Sequence, residues 1–470
     1  MEQSDTSGSG PTDRRRSRPE AASKRTIAKP DASTPLLRLA PLPPLLARLL
    51  REGVEVALYV AYYASLLFAY VRFFPQAFAY EGYVDDFSAV RAALSIPLVI
   101  VLAVVVQRLP ASTSVLLHLG LMLVIVPMIV LYVGAGKSEG YLALGVLSFL
   151  LMAAIVRFVR LRPLRLLQLS EAATLRGLIG AIVMTIVAIG ALGGFRHFNL
   201  SLASVYEFRD EAAENLPGVF GYIIPAATKI FLPFALILAI HRRSAVAVIA
   251  VAVCVVLLFG LSSHKAILIY PLIVLALSIV LSSRWCTALF VGGLTVLVNV
   301  ASALLAITEH PAAVFFSSMV VRRALILPAE LTGFYVNWFL ENPYLWWAES
   351  RLSFGAIPSP YSVKIVNLIG LEFSGSLEMG ANVGWIGSGY ANAGPVGVLL
   401  YAVGIGLLLS MLTAFAERVD RRLVVAANTP LIATVFLSSD FVTSLFTHGI
   451  LVSMIVLSCL RPFGHKTDVP

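Results

Sequence analysis

Charged residues are scarce in this sequence: they make up 13% of its 470 residues, while hydrophobic residues make up 59%. Soluble globular domains contain about 25% charged and about 45–50% apolar residues. The composition therefore excludes a soluble domain, and lipid must cover much of the apolar surface. Backbone amides inside a bilayer need internal partners, which only helices and closed barrels supply. The apolar runs at residues 182–194 and 245–261 do not alternate with polar residues, so we expect an all-α polytopic transmembrane bundle.

Cysteine is also rare, with Cys254, Cys286 and Cys459 each in or beside an apolar run. None of them has a second cysteine or a histidine at metal-ligand spacing, which argues against a structural metal site and a disulfide framework. The sequence also lacks the His-Glu-x-x-His and Gly-x-Ser-x-Gly motifs. Residues 134–138 end like a phosphate-binding loop, but position 131 is leucine where that motif requires glycine. We therefore expect no metal and no cofactor.

The first 35 residues differ from the rest of the chain because they are rich in Ser, Pro, Asp and Gly and hold a cluster of basic residues, namely Arg14, Arg15, Arg16, Arg18, Lys24 and Arg25. Such a composition predicts a disordered tail. The tail lacks the order of charge, short apolar run and small-residue cleavage site of a signal peptide. Its charge indicates a cytoplasmic location by the positive-inside rule. The alternative is a nucleic-acid-binding arm, and we expect no nucleic-acid partner.

Hydropathy predicts about twelve spans, at residues 54–74, 90–107, 114–134, 141–159, 176–195, 218–240, 244–261, 266–283, 286–307, 394–415, 423–440 and 446–461. Residues 36–53 read as an interfacial segment before them. Residues 54–307 thus hold spans one to nine, residues 308–393 a large loop, residues 394–461 the last three spans, and residues 462–470 a tail. Ser438, Ser439, Asp440 and His448 interrupt the last two spans.

Arginines fall in alternate connections between these spans, at Arg108, Arg157, Arg160, Arg162, Arg165, Arg242, Arg243, Arg284, Arg418, Arg421 and Arg422. The positive-inside rule places all of these connections, and both termini, in the cytoplasm. The loop at 308–393 then lies on the opposite side. It is semi-apolar and aromatic, with Trp338, Trp346 and Trp347, which predicts helices lying in the membrane interface. A plain membrane-facing cap is the alternative.

The candidate site residues are polar groups on that opposite side. Lys229 lies inside the sixth span between Pro225 and Pro233, and an ionisable residue at membrane depth is a functional candidate unless it snorkels or is paired. Arg322 and Arg323 suit a diphosphate, because each guanidinium can bind two oxygens. Glu330 and Glu349 are candidate bases in the loop, and His264 and Lys265 belong to a polar turn. A third group has amides and aromatic faces that suit sugar rings, namely Asn382, Trp385, Tyr390 and Asn392.

Several segments in order resemble the O-antigen polymerase family, the Wzy-like polymerases of oligosaccharide repeat units. The resemblance covers roughly residues 200–460 and rests on residues 205–209 (VYEFR), 260–265 (GLSSHK), 321–323 (VRR), 341–343 (ENP), 381–384 (ANVG), 389–397 (GYANAGPVG) and 444–449 (SLFTHG). The first half of the chain matches only in hydropathy. The turn at residues 262–265 reads Ser-Ser-His-Lys, where an arginine or a second lysine is expected.

The resemblance implies a GT-C-like glycosyltransferase in the bacterial inner membrane, without a metal. It would transfer a growing chain from undecaprenyl diphosphate to an incoming lipid-linked repeat unit on the periplasmic face. A chain-length regulator and a repeat-unit flippase would be its partners. The implied catalytic residues are Arg209, Lys265, Arg322, Arg323, Glu330 and His448. The implied substrate-binding residues are Tyr206, Lys229, His264, Arg351, Asn382, Tyr390 and Asn392. An O-antigen ligase and a flippase or other transporter are the alternatives.

Overall fold

The protein is described here by a computed structural model, which covers residues 43–200, 216–262, 264 and 266–462. Within these ranges the chain is helical and forms no strand, apart from one isolated bridge between Leu169 and Leu460. The prediction of an all-helical chain is confirmed.

The helices, numbered in chain order, are α1 (Pro44–Ala77), α2 (Ala89–Gln107), α3 (Ala111–Gly134), α4 (Glu139–Phe158), α5 (Glu171–Ala191), α6 (Phe220–His241), α7 (Ala245–Ser262), α8 (Ala266–Val280), α9 (Cys286–Ile307), α10 (Pro311–Glu341), α11 (Ile365–Ser374), α12 (Trp385–Arg418), α13 (Arg421–Leu437), α14 (Phe441–Phe446) and α15 (Ile450–Cys459). Among the described residues, eleven helices are long and apolar enough to cross a membrane, if α14 and α15 are taken together. They are the helices of a multi-pass membrane protein. The shorter α8 and α11 are also apolar.

Helix α3 is at the centre of the bundle. In its most apolar stretch 94% of the residues are buried, against 22% in α9, which therefore presents most of its surface to the surroundings. Small residues allow α4 and α12 to pack closely beside it. A β-carbon at Gly406 of α12 would lie 2.9 Å from Cβ of Ile155 in α4. The Ser410 hydroxyl donates to the Ile155 carbonyl at 3.4 Å, one turn further along α12.

The arginine-rich connections meet at one end of the bundle, which we call the basic end. Arg418 donates to the carbonyl of Leu460 at 2.6 Å and to the Gln168 side chain at 2.9 Å. The arginines at and after the end of α4 belong to the same end, because Arg160 and Glu417 line one small cleft together with Pro110, just before α3. We call the opposite end the far end.

Helix α10 is long enough to span a membrane, yet its side chains contact residues at or near the far end of several helices. The Ser317 hydroxyl donates to the carbonyl of Ala301 in the last turns of α9, at 2.9 Å. Arg322 pairs with Glu81, between α1 and α2. Glu330 pairs with Lys137, between α3 and α4, at 2.6 Å. These contacts indicate that α10 lies along the far end of the bundle.

The helix bounds differ from the hydropathy windows mainly in the last third of the chain. Helix α12 begins at Trp385 rather than at residue 394, because a first helical arm precedes a break at Ala393 and Gly394. Gly394 has a φ of +58° and a ψ of −146°, a conformation that favours glycine. At the start of the chain, α1 already begins at Pro44, within the predicted interfacial segment.

Candidate functional site

Several helices are irregular between the far end and the middle of the bundle. Helix α6 contains a π-helical turn at Ala227–Phe231, α12 breaks at Ala393, and α13 to α15 are separated by breaks at residues 438–440 and 447–449. Lys229 lies nine residues into α6, or about 14 Å along its axis. Irregular backbone at such depth is tolerated only where it is buried in protein or lines a cavity.

The Asp440 carboxylate links two of these breaks. Its Oδ1 accepts from the backbone N–H of Thr443 at 2.8 Å and so caps α14. Its Oδ2 accepts from the hydroxyl of Tyr401 and, at 3.5 Å, from the Nδ2 of Asn392. Asn392 also donates to the Tyr401 oxygen at 3.1 Å and to the Ser388 carbonyl at 2.9 Å. Because these groups are largely buried, the network fixes the two arms of α12 against α14.

The same network holds the loop between α10 and α11. The backbone N–H of Trp347 donates to Oδ1 of Asn392 at 3.0 Å, and its indole N–H donates to the Tyr401 hydroxyl at 2.9 Å. The N–H of Trp346 donates to the Asn392 carbonyl at 2.9 Å. Tyr390 is also buried and packs edge-on against Tyr344 of the loop, with 6.1 Å between ring centroids. Asn392 and Tyr390, predicted to bind substrate, thus use their side chains to hold this loop.

A cavity of about 730 Å³ lies directly after the two tryptophans. Its volume is in the range of small-molecule sites, about 300–1,000 Å³. The loop supplies most of the lining, while α6 and α14 each contribute an aromatic ring. The lining residues are Tyr222, Ala348, Glu349, Ser350, Arg351, Leu352, Ser353, Phe354, Gly355, Lys364 and Phe446.

One acid and two cations line this cavity. The Arg351 guanidinium lies over the ring of Tyr222, 5.4 Å from its centroid. The Glu349 Oε1 accepts from the backbone N–H of Ile365 at 2.9 Å, at the start of α11. Burial raises the pKa of the Glu349 carboxyl above its usual value, and this effect outweighs the lowering by the Ile365 N–H and by the positive charge of Lys364. The arrangement can bind an anion and hold a carboxyl that takes up protons more readily than an ordinary glutamate.

Lys229 and His448 lie near the cavity at membrane depth. Tyr222 is seven residues, about two turns, before Lys229 on α6. Gly449 has a φ of +90°, and a β-carbon there would lie 2.3 Å from Cδ1 of Ile230, so the turn that carries His448 packs directly on α6. Lys229 and His448 are close enough for their charges to interact. Within the described residues, Lys229 has no ion pair, and the buried Nδ1 of His448 has no hydrogen-bond partner.

The other predicted site residues do not line the cavity. Arg322 is buried, where it binds Glu81 and stacks over Phe78, and Glu330 is engaged by Lys137. Arg323 is exposed on α10.

His264 and Asn382 are exposed and bond to nearby carbonyls, those of Ser262 and Gly380. Tyr206, Arg209 and Lys265 lie outside the described residues. In the part of the chain that the structure describes, no group of three or more His, Cys, Asp or Glu residues could hold a metal ion.

Sequence reasoning did not select Tyr222 and Lys364, two lining residues on which the site depends. Lys364 is a lone exposed lysine in the loop, which carries no signal of its own. For Tyr222 the sequence offers one clue. Its only signal is its position, two turns before Lys229 at the far-end start of the same helix. Comparison of the chain with protein family models, with characterised proteins and with solved structures gives no match.

Proposed function

We propose that this chain is a membrane glycosyltransferase of the O-antigen polymerase type. It joins oligosaccharide repeat units carried on undecaprenyl diphosphate at the non-cytoplasmic face of the bacterial inner membrane. The observation that carries the proposal is the far-end cavity, in which Glu349 lies beside Arg351 and Lys364. The ordered sequence segments that resemble the family point to the same chemistry.

The cations of the cavity suit a lipid-linked diphosphate. Negative charge develops on the leaving diphosphate in the transition state, and positive groups aimed at it stabilise that charge. Arg351 and Lys364 line the cavity, and Arg351 has a forked guanidinium that can bind two phosphate oxygens. Lys229 lies deeper in the bundle, at the level of an outer lipid leaflet, where it would meet the lipid-proximal phosphate.

Glu349 is the proposed general base. The hydroxyl oxygen of the acceptor sugar attacks the anomeric carbon of the donor chain and forms the new C–O bond. The bond between that carbon and the diphosphate oxygen breaks, and its electron pair leaves with the diphosphate. The proton of the hydroxyl passes to the Glu349 carboxylate. A raised pKa makes this carboxylate a better proton acceptor than an ordinary glutamate.

The proposal includes a topology with twelve crossings and the basic end in the cytoplasm. The crossings are α1 to α9, the second arm of α12, α13, and α14 with α15, while α10 lies at the outer surface. Single cysteines in place of Glu309 and Glu341, exposed residues on either side of α10, test this arrangement in a variant without the native cysteines. An impermeant maleimide should label both from the outer side. Labelling from opposite sides would show that α10 crosses the membrane.

Polysaccharide from the source cell tests the activity. Surface and lipid-linked glycans are separated on a gel after deletion and restoration of the gene. Single repeat units after deletion, with long polymer on restoration, support the polymerase. Long polymer that stays on its lipid carrier would identify a ligase instead, and an unchanged pattern would reject both transferases.

A further inference from the structure

The cavity wall begins at a strained turn. Trp346 and Trp347 have φ angles of +49° and +61°, in the left-handed region that non-glycine residues rarely adopt. Two consecutive bulky residues hold this conformation only where their surroundings determine it. Glu349 and Arg351 follow within four residues of Trp347, so the geometry of this turn sets where the charged groups of the wall lie.

The bonds that hold the turn converge on one carboxylate. The amides of Trp346 and Trp347 bind Asn392, and the Trp347 indole binds Tyr401. Tyr401 and Asn392 in turn both donate to Oδ2 of Asp440. Since the Tyr401 hydroxyl has a single proton and gives it to Asp440, its oxygen is free to accept from the indole and from Asn392.

We infer that Asp440 is a positioning residue for the cavity, acting through Tyr401 and Asn392 on the strained turn. It does not line the cavity itself. Its carboxylate orients the Tyr401 hydroxyl so that the turn is held with Glu349 and Arg351 in place. The role of Glu349 and Arg351 in transfer rests on the proposed function, whereas the effect of Asp440 on the conformation of the turn does not.

Asp440 also caps α14, and a second aspartate separates capping from positioning. Asp420 caps α13 with one oxygen, because its Oδ1 accepts from both Arg422 and Leu423 at 2.7 and 3.0 Å. Asp420→Asn therefore keeps both bonds, and asparagine is itself a good N-cap. Asp440 needs both oxygens, one for Thr443 and one for Tyr401. Asp440→Asn has one carbonyl oxygen left, so it must lose the cap or the Tyr401 bond.

The experiment is amide hydrogen exchange on purified full-length protein in lipid nanodiscs, as wild type, Asp440→Asn, Tyr401→Phe and Asp420→Asn. We expect the amides of residues 345–347 to exchange about tenfold faster or more in Asp440→Asn and in Tyr401→Phe than in wild type. This factor corresponds to the loss of one hydrogen bond to a charged acceptor. Asp420→Asn should match wild type there. The double variant Asp440→Asn/Tyr401→Phe should be no worse than Tyr401→Phe alone, because Tyr401→Phe already removes the bond to Asp440 together with those from Trp347 and Asn392. Tyr401→Phe removes only a hydroxyl and serves if Asp440→Asn fails to fold.

Binding of inorganic diphosphate to the same samples tests whether the position of the turn affects the affinity of the cavity for its proposed ligand. We expect about tenfold weaker binding in Asp440→Asn, measured well below the melting temperature of that variant. Exchange at residues 345–347 that is equal in Asp440→Asn and Asp420→Asn, while the Thr443 amide stays protected, would overturn the positioning role, because the Tyr401 bond is then the one that Asp440→Asn has lost. Wild-type protein that binds no diphosphate would instead count against the proposed function, and the exchange result would still decide the role of Asp440.

Discussion

Replacing Glu349 by glutamine separates two roles of this side chain. The carboxylate caps the start of α11 through the Ile365 N–H, and it also lines the cavity. Glutamine has nearly the same size and keeps one oxygen that can accept from Ile365. It cannot accept a proton from a sugar hydroxyl. General-base catalysis contributes about 10²–10⁴-fold to rate, so Glu349→Gln should slow transfer by that factor while the loop stays folded.

The pH dependence has a definite sign. Burial raises the pKa of Glu349 in the folded protein, and the base acts in its ionised form. Transfer should therefore increase with pH through a pKa above the ordinary glutamate value of about 4.3. The folded state also binds the proton more tightly than the unfolded state. The contribution of Glu349 to the free energy of unfolding is therefore fully present below about pH 4.3, and it is lost as the pH rises through the raised pKa. Glu349→Gln should remove both dependences.

The assay is polymer formation by purified protein in nanodiscs, with a lipid-diphosphate oligosaccharide as donor and acceptor, followed on a gel from about pH 4 to 8. This window starts near the ordinary glutamate pKa and extends well above it. Glu372→Gln, an exposed change on the same α11, is the matched control and should behave as wild type. A near-normal rate and pH profile for Glu349→Gln would refute the base assignment. Glu349 would then be a helix cap, and Glu349→Ala rather than Glu349→Gln should impair the protein.

Three further changes test the charges of the far end. Arg351→Ala should weaken diphosphate binding about tenfold or more in a calorimetric titration, because it removes a charged hydrogen-bond donor, while Arg323→Ala, outside the cavity, should not. Lys229→Met removes an unpaired cation from membrane depth, so the melting temperature should be equal to that of wild type or higher. The same change should reduce polymer formation in the nanodisc assay. Arg322→Met should destabilise the protein by about 3–5 kcal/mol in thermal unfolding, because it leaves Glu81 without its partner, and Arg322→Met/Glu81→Leu should recover part of that loss. Diphosphate binding that survives in Arg351→Ala, or that disappears in a stable Arg322→Met, would reverse the roles assigned to these arginines.

Sequence patterns predicted the helices well where the signal is local. Long apolar runs correspond to α2, α4 and α9 because a span is defined by its own composition. Alternating arginines correspond to the basic end, where Arg418 contacts the segment after α4. The predicted loop at residues 308–393 includes α10, although the composition of this helix alone would also suit a span. Its position depends on the pairing of Arg322 with Glu81, which lies 241 residues earlier in the chain.

The candidate site was only partly predictable for the same reason. Lys229 and Arg351 could be selected from depth and charge alone. Asn392 has a side chain that suits a sugar, yet its amide is used by Trp347 and Tyr401, which only the folded chain brings together. An amide or an aromatic ring in a sequence indicates what it can bind, and the fold determines whether that capacity is already used.

The cations of the far end fall into two groups, those that already have a carboxylate partner and those that do not. Arg322 and Lys137 each have a carboxylate partner, so an anionic ligand would have to break an existing ion pair to use them. Among the described residues, no carboxylate lies within ion-pair distance of Arg351, Lys364 or Lys229. Lys229 is the partly buried member of this group, and a cation held without a counter-charge at low dielectric is unfavourable in the free protein, whereas Arg351 and Lys364 are exposed to solvent. Under the proposed function, a bound diphosphate would supply the missing counter-charge to Lys229 and would meet Arg351 and Lys364 without breaking an existing ion pair.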